Sequence, residues 1–171
     1  MIKVEGIGYL RAPEISDLNA LYTLENSPDL WYLGYSKEPW SKAVLQRYLV
    51  NQPGSLVRDG QLRLILDHDG ELIGAFDLYD YDPFARKAGV GLVLSPAHRG
   101  KGWSSLALKA FESYAFGTLG LNSLFAIVPS KNIPSQSLFS SGSYKLVGEL
   151  ADWVIRDAKM ESALFYQKVL K

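Results

Sequence analysis

The feature that most constrains this chain is a change of hydrophobic period between residues 89 and 128. Gly89-Val90-Gly91-Leu92-Val93-Leu94 is a short apolar run with strand character. From Trp103 to Thr118 the spacing turns helical, with Leu106, Ala107, Ala110, Phe111, Tyr114 and Ala115 on one stripe, until Gly120 stops it. Leu124-Phe125-Ala126-Ile127-Val128 is a second short buried run. Strand, helix and strand in that order predict a crossover between parallel neighbours, because a tight hairpin joins only antiparallel strands.

Hairpin signals surround this unit. Residues 2–10 read as a first strand, closed by Pro13, and a helix follows with Ile15, Leu18, Leu21 and Tyr22 on one face. Pro28 and Gly34 interrupt it, leaving a loop that carries Trp31, Tyr32, Tyr35 and Trp40. Ser41 is placed to cap a second helix whose apolar side is Val44, Leu45, Tyr48 and Leu49, and which ends at residues 51–54. Leu62, Leu64 and Leu66 alternate with polar positions, and Asp69-Gly70 is a turn signal before a partner strand over residues 72–78. Asp80-Tyr81-Asp82-Pro83 reads as a further turn. A short helix over residues 134–141 and two strands, 144–155 and 160–169, close the chain. Hairpins mixed with helical crossovers give a mixed sheet in an α/β or α+β domain.

At 171 residues the chain supports one core, so residues 1–171 are read as a single domain. Lys plus Arg and Asp plus Glu both total 18. This balance argues against nucleic-acid and anionic-membrane partners, which need clustered basic charge. The absence of cysteine removes disulfides, thiol nucleophiles and thiolate metal sites, and His68 and His98 are too few for a histidine-built metal centre. No metal is expected. The N-terminal residues lack the apolar core of a signal peptide, and no apolar run approaches the roughly 20 residues of a membrane span. A cytoplasmic protein is the expectation.

Chemical content concentrates in Leu92-Val93-Leu94-Ser95-Pro96-Ala97-His98-Arg99-Gly100-Lys101-Gly102-Trp103-Ser104-Ser105, where a strand enters a two-glycine loop and a long helix begins at once. Unpaired amides at the positive end of a helix, with Arg99 and Lys101 adding charge, suit a phosphate or pyrophosphate. A tight turn with solvated basic residues fits the same residues. Two other phosphate motifs do not fit. A Walker loop needs Ser or Thr after Gly-Lys and a glycine where Ser95 stands, and a dinucleotide fingerprint needs a third glycine where Ser105 stands. No Gly-x-Ser-x-Gly elbow exists, and His98 lacks a partner pattern.

Arg99-x-x-Gly102-x-Ser104 after an apolar strand resembles the acetyl-CoA loop of the GNAT N-acetyltransferases, Gln/Arg-x-x-Gly-x-Gly/Ala. Asn132-Ile133-Pro134-Ser135-Gln136-Ser137-Leu138-Phe139 resembles that superfamily's Asn-x-x-Ser-x-x-Leu-Tyr/Phe segment, and Gly142-Ser143-Tyr144 stands where Leu-Gly-Phe is usual. Within the superfamily, residues 77–83 and Asp152-Trp153 look most like the RimJ/RimL-type and spermidine-acetyltransferase-like branch. The resemblance implies a GNAT fold: a central mixed, mostly antiparallel sheet of about seven strands flanked by about four helices. It implies acetyl-CoA as co-substrate and acetyl transfer to a primary amine, on a small molecule or a protein N-terminus, by direct attack with both substrates bound. Leu92, Val93 and Leu94 would meet the pantetheine arm, with a strand N–H there facing the thioester carbonyl. The amides of Arg99, Gly100, Lys101, Gly102, Trp103 and Ser104 would hold the pyrophosphate, and Asn132, with Ser135 and Phe139 behind it, would line the pantetheine.

Three departures accompany the resemblance. Ser104 replaces the usual Gly or Ala. Gly89 stands where many relatives carry a strand Glu that accepts the amine proton. Phe139 stands where many carry the Tyr that protonates the leaving thiolate. An alkylamine with a pKa of about 10.4 needs a base at neutral pH, whereas an α-amino group at about 7.7–8.0 needs far less help. Water, Asp77 or Asp152 are the candidate bases, and a weakly basic acceptor fits the missing carboxylate. Trp31, Tyr32 and Tyr35 are candidates for an acceptor wall, since aromatic faces attract ammonium groups; packing of the N-terminal helices is the competing reading. Tyr144 and Trp153 read as strand core residues. The missing acid and base also suit a non-catalytic acetyl-CoA-binding or sensing module, and a nucleotide-binding domain is the third alternative. A homodimer through the sheet edge or C-terminal strands is compatible with the pattern.

Overall fold

The computed structural model describes residues 1–31, 38–51 and 55–170, without the side chains of Asp29 and Trp31. Tyr32 and Tyr35 lie outside the described residues. The first expected strand is a hairpin of β1 (Ile2–Val4) and β2 (Gly8–Arg11), because Gly6 takes a left-handed φ of 73° between them. The helices α1 (Leu18–Glu25), α2 (Pro28–Trp31), α3 (Lys42–Val50) and α4 (Leu56–Asp59) follow. Then come β3 (Leu62–His68), β4 (Glu71–Asp82), β5 (Lys87–Leu94), α5 (Trp103–Gly117), β6 (Ser123–Pro129), α6 (Ile133–Ser141), β7 (Lys145–Arg156) and β8 (Lys159–Val169). The strands form one eight-stranded sheet in the order β1-β2-β3-β4-β5-β6-β8-β7. The split first strand accounts for the eighth, and single-turn α2 and α4 add to the four longer helices expected.

Local chemistry explains most boundaries. Ser41 accepts a hydrogen bond from the Val44 amide at 3.2 Å and starts α3. Asp69 and Gly70, at φ 52° and 85°, make the tight turn between β3 and β4. The turn read over residues 80–83 sits further on. β4 runs to Asp82, whose Oδ1 accepts from the Phe84 and Ala85 amides at 2.9 and 3.0 Å and builds the turn beyond it. A bulge between Tyr79 and Asp82, with Asp80 at φ 49°, absorbs the mismatch.

The sheet has a core on each face. Leu64, Leu66, Phe76, Leu78 and Val90 pack under α5 through Ala107, Leu108 and Phe111, a cluster that continues to Phe139 and Tyr166. On the other face Ile65 and Ala75 pack against Leu21 and Leu24 of α1 and Leu49 of α3. Cover on both faces explains why Leu64-Ile65-Leu66 is buried without alternation. The expected helix stripes are narrower than the sequence spacing suggests: Ile15, Tyr22, Val44 and Leu106 are exposed, and Leu24 and Leu108 are buried in their stead. Every strand pair is antiparallel except β5 with β6, which α5 joins as a parallel crossover.

Candidate active site

The parallel pair is short. Lys87, Ala88 and Gly89 of β5 pair with Ser123, Leu124 and Phe125 of β6, and the ladder stops there. Beyond Gly89 the two strands run on to Leu94 and Pro129 without pairing, while β5 stays paired to β4 and β6 to β8. The sheet therefore opens into a wedge whose apex is the Gly89–Phe125 pair. A wedge between strands leaves backbone N–H and C=O groups facing each other's flank, the arrangement that accepts an extended ligand as an added strand.

β5 leads directly to the two-glycine loop. Gly100 and Gly102 adopt φ of 74° and 77°, and Gly102 is the N-cap of α5, with no side chain capping the helix. Among the described residues the amides from Gly100 to Ser104 have no protein partner. Fifteen residues of helix direct their dipole at this loop. Arg99 donates from Nε to the Leu94 carbonyl at 3.0 Å, which ties the loop back to the strand end. The Lys101 ammonium sits 4.9 Å from the Trp103 ring. His98 is more than a solvated loop residue: it stacks on Trp103 at 5.4 Å, and its Nδ1 bonds the Ser95 hydroxyl at 2.7 Å. His68 packs on the same indole at 4.8 Å.

Across the wedge, Asn132 caps α6. Its Oδ1 accepts from the Ser135 amide at 3.3 Å, leaving its two amide hydrogens for another partner. Phe139 is buried, edge-on to Tyr144 at 5.0 Å and stacked with Tyr166 at 6.3 Å. Tyr144 is a core residue as expected, whereas Trp153, also read as core, is exposed on the outermost strand β7. Burial, and after it the nearby Glu112 carboxylate, raise its pKa well above the ordinary phenol value. Glu112 itself is paired with Lys168 at 2.6 Å. This group belongs to the core beneath α5.

The opposite face of β5 holds the remaining candidates. Asp77 lies beside Gly91, and both its oxygens accept from Arg63, at 2.7 and 3.0 Å. Arg63 also donates to Glu25. Burial works against the Arg63 charge, but Asp77 and Glu25 outweigh it and raise its pKa above the ordinary arginine value. Proton acceptance by Asp77 would have to compete with that bidentate pair. Asp152 is exposed in a bulge of β7, the outermost strand, with β8 and β6 between it and the wedge. The structure does not bring Asp77 and Asp152 together.

One residue here escaped the sequence reading. Tyr79 pairs with Gly89 across β4 and β5, and its ring lies over both glycines of Gly89-Val90-Gly91. A Cβ at Gly89 would overlap Cε2, Cζ and Cδ2 of that ring, and one at Gly91 would stand 3.8 Å from Cε1. The signal was the spacing itself, since two glycines two apart in a strand mark a close approach on one face.

Residues 9–141 match the family described as Acetyltransferase (GNAT) domain. The spermidine N(1)-acetyltransferase of Escherichia coli K12 is 26% identical over 141 residues, covering 82% of this chain and 74% of that protein. Among solved structures, the spermidine N-acetyltransferase of Vibrio cholerae in complex with CoA and spermine superposes with a TM-score of 0.84 at 20% identity, covering 94% of each chain. The ribosomal L7/L12 alpha-N-protein acetyltransferase RimL in complex with coenzyme A gives 0.85 at 18% identity, covering 99% of this chain and 97% of that one. The two structural likenesses concern the fold, the family match covers most of the chain, and the wedge and its glycine loop fall inside it: this protein is an N-acetyltransferase of the GNAT family.

Proposed function

We propose that the chain moves the acetyl group of acetyl-CoA to a weakly basic primary amine, with a protein or peptide α-amino group as the best acceptor class. The observation that carries this reading is the β5–β6 ladder ending at Gly89, with the open flank of β5 leading to the uncapped start of α5. Pantetheine fills the wedge against Leu92, Val93 and Leu94 and the amide of Asn132, with Ser135 and Phe139 supporting α6 behind it. Pyrophosphate rests on the amides from Gly100 to Ser104, with the Arg99 amide already bonded to the Pro96 carbonyl at 3.3 Å. The thioester carbonyl then accepts from a β5 amide, and a neutral amine attacks from the face of β5 that carries Gly89 and Gly91. A weakly basic acceptor is favoured because Asp77 is already paired with Arg63 and Gly89 offers no carboxylate.

No helix among the described residues is long and apolar enough to cross a membrane; we place the reaction in the cytoplasm. We also propose self-association through β7, the last strand in the sheet order, which exposes Leu146, Val147 and Trp153.

Calorimetric titration with acetyl-CoA, ATP and NAD, followed by thiol release with a peptide free at its N-terminus and with spermidine, tests the reading. Binding of acetyl-CoA alone and turnover favouring the peptide is expected. Binding without turnover of either amine would make the chain a sensor, and preference for ATP or NAD would overturn the assignment of the wedge.

A further inference from the structure

The apex of the wedge is roofed by two aromatic rings. Tyr79 from β4 and Phe125 from β6 meet edge to face at 5.7 Å, one on each side of Gly89, and Phe165 of β8 stacks on Phe125 at 5.3 Å. The Tyr79 ring spans the strand from Gly89 to Gly91, with Cζ among the atoms a side chain at 89 would strike. Its hydroxyl, one bond from Cζ, therefore stands within about 4 Å of where a Cβ at residue 89 would be. Gly91 immediately precedes Leu92, the first of the residues assigned to the thioester end of the cofactor. Glycine at 89 is thus what lets the Tyr79 ring lie where it does.

We infer that Tyr79 is the acceptor-side catalytic residue of this enzyme, its hydroxyl receiving the amine proton and its ring, with Phe125, holding the amine against β5. This rests on the acetyl-transfer reading above and names the residue that serves it. As the neutral amine attacks, the N–C bond forms and the thioester C–S bond breaks. The amine proton passes to the Tyr79 oxygen as the phenol proton passes to water, so the phenol is regenerated. CoA departs as thiolate and is protonated by solvent. A neutral phenol supplies a hydrogen-bond acceptor but no net negative charge, so its proton-relay role serves amines that reach it uncharged.

The test compares Tyr79→Phe and the double variant Tyr79→Ala/Gly89→Glu with the wild type, using the peptide and spermidine across pH 6–10. Tyr79→Phe is expected to lower kcat for the peptide about 100-fold near pH 7 while acetyl-CoA affinity is unchanged. The defect should shrink only toward pH 10, where hydroxide takes the proton that the phenol would carry. The double variant puts a carboxylate into the vacated space and should recover turnover, with the preference shifted toward spermidine. Full activity of Tyr79→Phe with an unmoved pH profile overturns the inference alone. Loss of acetyl-CoA affinity in Tyr79→Phe also overturns it, by making the role structural. A wild type that binds acetyl-CoA but acetylates neither amine overturns the acetyl-transfer reading and this inference with it.

Discussion

Arg11 holds two carboxylates at once: it donates to Asp17 at 2.7 and 2.9 Å and to Asp67 at 2.7 Å. The trio joins β2 and β3 to the start of α1, and so fixes the helical layer over that face of the sheet. Burial alone would raise the pKa of Asp17, but the Arg11 guanidinium and the Glu14 amide outweigh it and hold that carboxyl below its ordinary 3.8. A depressed folded pKa means the stabilisation is complete above the unfolded value and lost as pH falls through the folded one. Asp17→Asn should therefore cost about 3 kcal/mol at pH 7 and flatten the stability curve below about pH 4, measured by urea unfolding across pH. A variant with the wild-type acid limb would show that this pair contributes nothing to it. Gly102 gives a second prediction at the same scale. A Cβ there meets nothing within 4 Å, so Gly102→Ala strains only the left-handed backbone at φ 77°. That strain is worth about 1–2 kcal/mol, so acetyl-CoA affinity should fall about 5- to 30-fold as the loop relaxes away from the phosphate-binding conformation. Calorimetry reads it directly, and an unchanged Kd would remove this loop from the pyrophosphate site.

Elements depend on signals of different range, and this decides what the sequence disclosed. Ser41 starts α3 by a contact three residues away, so the cap was visible in the sequence. Ser41→Ala should cost about 1 kcal/mol and lower Tm by about 2–4 °C, read by calorimetry. No change in Tm would mean that burial of Leu45 and Leu49 alone holds the helix. The β3–β4 turn and the β5–α5–β6 crossover were legible for the same reason: period and turn chemistry are local. The split of the first strand was less so, because Gly6 could as well have been a bulge until β2 paired with β3. The candidate site divides along the same line. The proposed cofactor loop is contiguous, and its two glycines and helix start are readable in residues 92–105. Tyr79 over Gly89 joins residues ten apart through strand register, and Arg63 holding Asp77 joins two strands and α1 through Glu25. A register is set by the whole hairpin, bulges included, so neither pairing is written in a motif.

At the scale of the whole molecule, the sheet is nearly two sheets. β1 to β5 form one side and β6 to β8 the other, and only the three residue pairs ending at Gly89 bridge them as strands. The rest of the join is packing, with Phe111 and Ala115 of α5 in the same cluster as Phe76 and Val90 on one side and Leu124 and Ala126 on the other. A pantetheine arm in the wedge would bond both flanks and act as the missing strand. Acetyl-CoA should then stabilise the fold as a bridge and not merely as an occupant of the loop. At about 100 times its Kd the ligand contributes about 2.7 kcal/mol by mass action, which for a chain of this size raises Tm by about 5–10 °C. That shift alone reports binding anywhere. The bridging role is read from hydrogen exchange, where amides in residues 90–94 and in residues 126–128 should gain protection together. Protection confined to residues 90–94 and the 99–104 loop would mean that the cofactor hangs from β5 alone, and the wedge would then open without consequence for the C-terminal strands.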